Sequence, residues 1–266
     1  MQIRHALRAV LPALAVVAAL SASTPALAKT PPATASASTI TTGYDIGYPQ
    51  CPSNFPAGGA FGIVGVNNGL AWSVNPCLAA QYRWATRKGK AAFYMNTANP
   101  GTLSTHWGLS GPRTCLNPGD AGSVDDTGCA YNYGWNAAAN ALSTALSVDA
   151  AAATRSWWAD VETSNSWDGT TDANFASIQG GLDYLATKGV AAPGVYSTNY
   201  QYGTIAGTNR LPAAPNWVAG ARSQKQATSW CSSAYSFTGG PVKLVQFPSN
   251  GFDGDVSCQA GSLLSA

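Results

Sequence analysis

The sequence predicts an α/β protein, an irregular (β/α) barrel of the TIM type in one domain. Three observations predict it. From Gly43 onward, strand-like apolar runs alternate with helix-like segments, the pattern of a parallel sheet covered by helices. The stretch from Gly43 to Ala266 has a length common among α/β barrels, with no composition break that would split it. Polar and acidic residues (Asp45, Asn96, Asp160, Glu162, Ser197, Gln246, Asp255) stand at or just past the C-terminal ends of the strand-like runs, where a barrel gathers its functional groups at one mouth. No GxGxxG follows the first strand and no P-loop occurs, which argues against an open nucleotide-binding sheet.

In chain order, residues 1–28 read as a secretory signal. Arg4 and Arg8 give a basic start, Ala9 to Leu20 an apolar core, and Ala26-Leu27-Ala28 a small-residue cleavage site. The apolar core is too short and wrongly flanked for a membrane span, so an exported, soluble protein cleaved after Ala28 is expected. Residues 29–42, rich in Pro, Thr, Ser and Ala, have the composition of a tether. Tyr44-Asp45-Ile46 is a first short strand, turned by Gly47-Tyr48-Pro49. Phe61 to Val66 is a buried strand ending in Asn67-Asn68-Gly69. Pro76 to Arg87 is a helix with Leu78, Tyr82 and Ala85 on one face and Gly89 as its stop. Ala91 to Met95 is the next strand, and residues 101–130 read as a long loop stapled through Cys115 and Cys129. Trp135 to Val148 is an Ala-rich helix, followed by a central strand from Arg155 to Glu162. Asp172 caps a helix with Phe175, Ile178, Leu182 and Leu185 at 3-4-3 spacing and Gly189 as stop. Strands follow at Gly194–Ser197, Asn216–Ala219 and Lys243–Phe247, the last leading to Asp253-Gly254-Asp255 and making seven in all.

Composition narrows the partners. The formal charge is +2, with no block of Lys or Arg. Nucleic acid or an anionic membrane would want such a block, so neither is an expected partner. A neutral glycan polymer fits better, and nine Trp and eleven Tyr supply rings for sugars to stack on. A monomer is expected. The six cysteines (Cys51, Cys77, Cys115, Cys129, Cys231, Cys258) read as three disulfides of an exported chain. Of the possible pairings the sequential one is expected, because each bridge then closes a loop beside a strand end. With no CxxC and no HExxH, zinc chemistry is not expected, nor any other metal or cofactor. His106 is the one histidine beyond the signal and reads as solvent-facing, which disfavours Ser-His-Asp and Cys-His catalysis.

Carboxylate chemistry remains. On the strand Ser156 to Glu162, Trp158, Asp160 and Glu162 share one face, and Trp157, Ala159 and Val161 the other. Two carboxylates therefore stand ~6.6 Å apart along the strand behind an aromatic ring. Glu162 is the only glutamate in the chain. A solvated strand end with both acids in water is the plain alternative, and the adjacent Trp pair argues against it. Like charges at this range resist joint ionisation, so one carboxyl holds its proton near neutral pH and can serve as a general acid. Paired acids in an aromatic cleft are the working parts of glycoside hydrolysis.

The order Gly43-Tyr44-Asp45-Ile46-Gly47, Trp158-Ala159-Asp160-Val161-Glu162, Val195-Tyr196-Ser197, Trp217-Val218-Ala219 and Val245-Gln246-Phe247 with Asp255 resembles glycoside hydrolase family 25, the lysozyme-type muramidases, and related secreted family-25-like domains. The resemblance implies a peptidoglycan hydrolase on an irregular barrel. It implies that Glu162 protonates the glycosidic oxygen and that Asp160 stabilises the developing positive charge or orients the N-acetyl group. It implies that Asp45 and Asp255 complete an acidic floor, with Asp253 nearly as good a match as Asp255. Tyr196 and Trp217 line sugar subsites, and Tyr94, Asn96, Trp158 and Gln246 complete the candidate binding set. The sequence departs from the family at Gly65-Val66-Asn67-Asn68, at Phe93-Tyr94-Met95-Asn96 and at Gly220-Ala221-Arg222, in the substrate wall. A glycan-binding barrel without turnover, and a structural wall protein, are the competing readings.

Overall fold

Short, mostly apolar strands that alternate inward and outward side chains close on themselves here. In a computed structural model, which describes residues 40–52 and 54–258, the strands are β1 (Thr41–Ile46), β2 (Gly62–Gly65), β3 (Ala91–Asn96), β4 (Trp157–Asp160), β5 (Gly194–Ser197), β6 (Asn216–Val218), β7 (Val242–Ser249) and β8 (Phe252–Ser257). They form a closed barrel in chain order. The expected signal and all but the end of the expected tether lie outside the described residues. Thr41 and Thr42, assigned from the sequence to the tether, already belong to β1 and pair with Ser257 and Val256.

β1 to β7 run parallel. β8 is antiparallel to both neighbours, β7 and β1. The barrel is thus a mixed eight-stranded one, not a regular (β/α)8 repeat, and the seven-strand count from the sequence is one short. Helices α1 (Leu78–Thr86), α2 (Thr127–Leu146), α3 (Thr171–Thr187), α4 (Asn199–Ala206) and α5 (Gln224–Ser229) link β2 through β7. A two-residue turn replaces the helix between β7 and β8: Asn250 and Gly251 both have positive φ, 53° and 81°, between the paired residues Ser249 and Phe252. This is the geometry in which the twist of a tight hairpin matches that of its strands.

The alternation sorts the core into two layers. Trp158, Trp217, Ile63, Phe61, Ala92 and Leu244 pack together inside the barrel, with Tyr94 and Tyr196 against them. Outward residues such as Val64, Phe93, Trp157, Ala159 and Val195 pack under the helices. Helix ends differ from the sequence expectation where polar residues offered several caps. Asp126 caps α2 by accepting from Cys129 N, so that helix starts well before Trp135. Thr170, not Asp172, caps α3, accepting from Ala173 N. β4 stops at Asp160, so Glu162 lies just beyond the strand. Short, polar α4 and α5 have no apolar stripe long enough to announce them.

The three disulfides pair sequentially, as expected: Cys51–Cys77, Cys115–Cys129 and Cys231–Cys258. The second ties the long loop after β3 to the first turn of α2. His106, in that loop, is not free in solvent; its ring stacks on Trp72 at 4.0 Å between centroids. Among the described residues no helix is long and apolar enough to cross a membrane.

α2 and α3 approach backbone to backbone at two glycines. A Cβ on Gly134 would press into the Ser177 carbonyl oxygen, and one on Gly180 into that of Tyr131. Gly180→Ala is expected to destabilise the fold by about 1–3 kcal/mol through overpacking against rigid backbone. Gly203→Ala, in the exposed middle of α4 with open space around it, is expected to stabilise by about 0.5–1 kcal/mol. Denaturant midpoints of the two variants, moving in opposite directions, check this.

Candidate active site

The mouth at the C-terminal ends of the parallel strands holds a cavity of about 140 Å³ lined by Asp45, Tyr94, Asp160, Glu162, Tyr196, Trp217, Gln246 and Asp253. One residue each from β1, β3, β5, β6, β7 and β8 reaches it, together with Asp160 on β4 and Glu162 just past it. No lysine, arginine or histidine lines it.

The rings build its walls. Trp217 stands at the centre, edge-on to Tyr196 at 4.6 Å, to Trp158 at 5.8 Å and to Tyr94 at 6.3 Å. Trp158 is 3% exposed and does not reach the cavity; it is the floor on which Trp217 rests. Trp158, placed in the candidate binding set from the sequence, is not among the residues lining this cavity, because inward alternation carries its ring down into the barrel. Asn96 likewise does not line the cavity, but its amide donates to Asp160 Oδ2 at 2.5 Å. Ser197 turns away, its hydroxyl donating to the Val161 carbonyl.

Four of the five acids have a neutral polar partner. Gln246 Nε2 donates to Asp45 Oδ2 at 3.0 Å, and Tyr196 Oη donates to Gln246 Oε1 at 2.9 Å, which settles the amide's orientation. Trp217 Nε1 donates to Asp255 Oδ1 at 2.7 Å. Asn96 serves Asp160, and the Gln201 amide on α4 favours the ionised form of Glu162. Asp253 and Asp255 alternate along β8 in the same inward set but at different depths. Asp253 lines the cavity, while Asp255 lies wholly buried beneath Trp217.

Two carboxyl oxygens, Asp160 Oδ1 and Asp255 Oδ2, are buried with no amide or hydroxyl donor. Each meets a second carboxyl, Glu162 and Asp45 respectively. Two carboxyl groups can satisfy such a contact only by keeping a proton between them. Burial, with the charges of Glu162 and Asp45, pushes the Asp160 carboxyl well above the usual range. Burial and the charge of Asp45 do the same to Asp255. Burial, then the charge of Asp253, raises Asp45 to about 7. Glu162 is also raised by burial, but the bonds from Gln201 and Asp160 pull it back. Burial raises Asp253 as well. Tyr94 and Tyr196, buried among these acids, stay protonated phenols far into alkali.

Gln201 was not foreseen from the sequence. It sits in the first turn of a short helix behind Tyr200, with no strand-end position or apolar period to mark it. Asn199, one residue after the Thr198 cap, was the available hint that a helix starts at the barrel mouth.

No family model and no curated protein matches the chain. Solved structures do. The bacterial lysozyme from Streptomyces coelicolor aligns with TM-score 0.55 at 16% identity, over 84% of this chain and 94% of that one. The likeness is one of fold. A family GH25 lysozyme from Aspergillus fumigatus aligns with TM-score 0.52 at 16% identity, over 82% and 94% of the two chains. The spore cortex lytic enzyme SleM of Clostridium perfringens gives 0.53 at 12% identity, over 85% and 69%.

The raised acids make stability depend on pH. Asp45 has an ordinary value of 3.8 and a folded value of about 7, so between these the folded protein binds more protons than the unfolded chain. The stabilisation is full below about 3.8 and is lost as pH rises through about 7; the swing from this group is on the order of 4 kcal/mol. Unfolding free energy is expected to fall from pH 4 to pH 7, and Asp45→Asn to flatten that fall. Urea titrations across the range check it; an unchanged slope in Asp45→Asn would contradict the assignment.

Proposed function

We propose that the protein is an exported glycoside hydrolase that cleaves the muramic acid linkage of bacterial cell-wall peptidoglycan. The observation that carries this reading is the pair Asp160–Glu162, two carboxyl groups set together at the mouth of a barrel whose fold is that of known lysozymes. The sequence signal, residues 1–28, and the three disulfides suit export to an oxidising setting.

In this reading a sugar ring enters against Tyr196 and Trp217 and displaces water from the cavity. The proton shared by the pair passes through Glu162, the more accessible member, to the glycosidic oxygen. The C–O bond to the leaving sugar breaks as that oxygen takes the proton, positive charge grows at the anomeric carbon, and a water molecule finally adds there and gives its proton back to the carboxyl pair. Asp160, left ionised behind Glu162, stabilises that charge or orients the N-acetyl group. Asp45 and Asp253 add negative potential from the floor and far wall. Asp255 keeps its proton and holds Asp45 and Trp217 in place. Trp158 supports the binding ring from below.

A second reading, a glycan-binding barrel without turnover, is favoured by the narrowness of the cavity. At about 140 Å³ it is smaller than the roughly 300–1,000 Å³ usual for ligand pockets. Release of soluble muropeptides from purified peptidoglycan separates the two. The mature protein is expected to release them, and Glu162→Gln to lose about 10²–10⁴-fold of the rate while still sedimenting with the wall. Sedimentation of both proteins without release would favour the binding barrel.

A further inference from the structure

Glu162 lies beyond the end of β4; its carbonyl accepts from the Asn165 N–H at 3.0 Å and from Trp167 Nε1 at 2.8 Å, which hold the backbone but leave the carboxylate, the group proposed to meet the substrate, to be aimed. Gln201 enters from the other side of the β4–α3 loop. Its Oε1 accepts from the Thr163 backbone N–H at 2.7 Å and from the Thr163 hydroxyl at 3.0 Å. With the oxygen committed to both donors of the residue next to Glu162, the NH2 end is left on the side of the Glu162 carboxylate, whose ionised form it favours. A flipped amide would set oxygen against carboxylate and NH2 against N–H, so the orientation has one solution. Gln201 is itself held by Thr198, whose hydroxyl accepts from the Gln201 N–H at 3.0 Å and caps α4.

We propose that Gln201 is the positioning residue of the site: its amide clamps Thr163 with one end and aims the Glu162 carboxylate at the cavity with the other. This rests on the glycosidase reading for its catalytic consequence but not for the clamp itself. The groups that face Glu162 are acids and phenols: Asp160 from its own segment, Asp253 from β8, Asp45 from β1, Tyr94 from β3 and Tyr196 from β5. None is a cation, so a neutral amide is what offsets burial and keeps Glu162 readier to ionise than Asp160. Removing it leaves Glu162 holding its proton to higher pH.

Glu162 is the only glutamate in the chain, so glutamate labelled with ¹³C at the side-chain carboxyl, incorporated by cell-free synthesis, reports this one group. Gln201→Met and, as a smaller second variant, Gln201→Ala leave that single signal intact. Both are expected to raise the titration midpoint of Glu162 by about 0.5–1 unit relative to wild type. In turnover on peptidoglycan, Gln201→Met is expected to lower kcat at least about tenfold with KM within about twofold, and to move the alkaline limb of kcat upward by the same interval. An unchanged carboxyl midpoint in both variants would overturn the proposal, whether or not the protein cleaves the wall. So would a midpoint that falls toward the ordinary glutamate value, because the amide would then only have kept water out. A shifted midpoint in a protein that releases no muropeptides would uphold the clamp and discard the glycosidase reading, so the two can fail separately.

Discussion

The structure depends on one electrostatic constraint: five carboxyl groups converge on a barrel mouth that contains no cation. Ion pairs would have solved the burial problem by locking every acid in its charged form. Four of the five meet neutral groups instead: Gln246 for Asp45, Asn96 for Asp160, Gln201 for Glu162 and Trp217 for Asp255. A neutral partner favours the charged form far less than a cation would, so the protons stay within the cluster and can be moved. The cost appears as acids whose proton affinity is raised by desolvation, in a protein that is expected to be most stable where the mouth is least charged.

The same constraint explains the packing below. Trp217 has two duties, its face toward the cavity and its indole N–H on Asp255. It can perform both only if its ring is wedged, and Trp158, Tyr94 and Tyr196 wedge it. The aromatic interior is therefore the mechanical half of the acid cluster. Outside it, α2 and α3 pack at glycine-to-carbonyl distance, α2 backing β3 and α3 backing β4.

Much of this was legible in the sequence because it follows strict periods. Apolar runs marked the parallel strands, and the strand-end rule gathered Asp45, Asp160 and Gln246 correctly at one mouth. Period-two alternation also placed Trp158 and Asp160 on one face, but it says nothing of depth, so Trp158 was read as a wall when it is a floor. β8 escaped because Phe252-Asp253-Gly254-Asp255 is polar and glycine-broken, although Asn250-Gly251 before it is a strong hairpin signal. Gln201 escaped for a different reason. Its role is set by which donors its oxygen meets in space, and no spacing in the chain encodes that.

The reversed closing strand has a further consequence. Because β8 runs against β1, Thr41 pairs with Ser257, and both ends of the barrel chain leave from the rim opposite the acids. The acid-lined mouth and the two ends of the strand circuit therefore lie at opposite rims of the barrel.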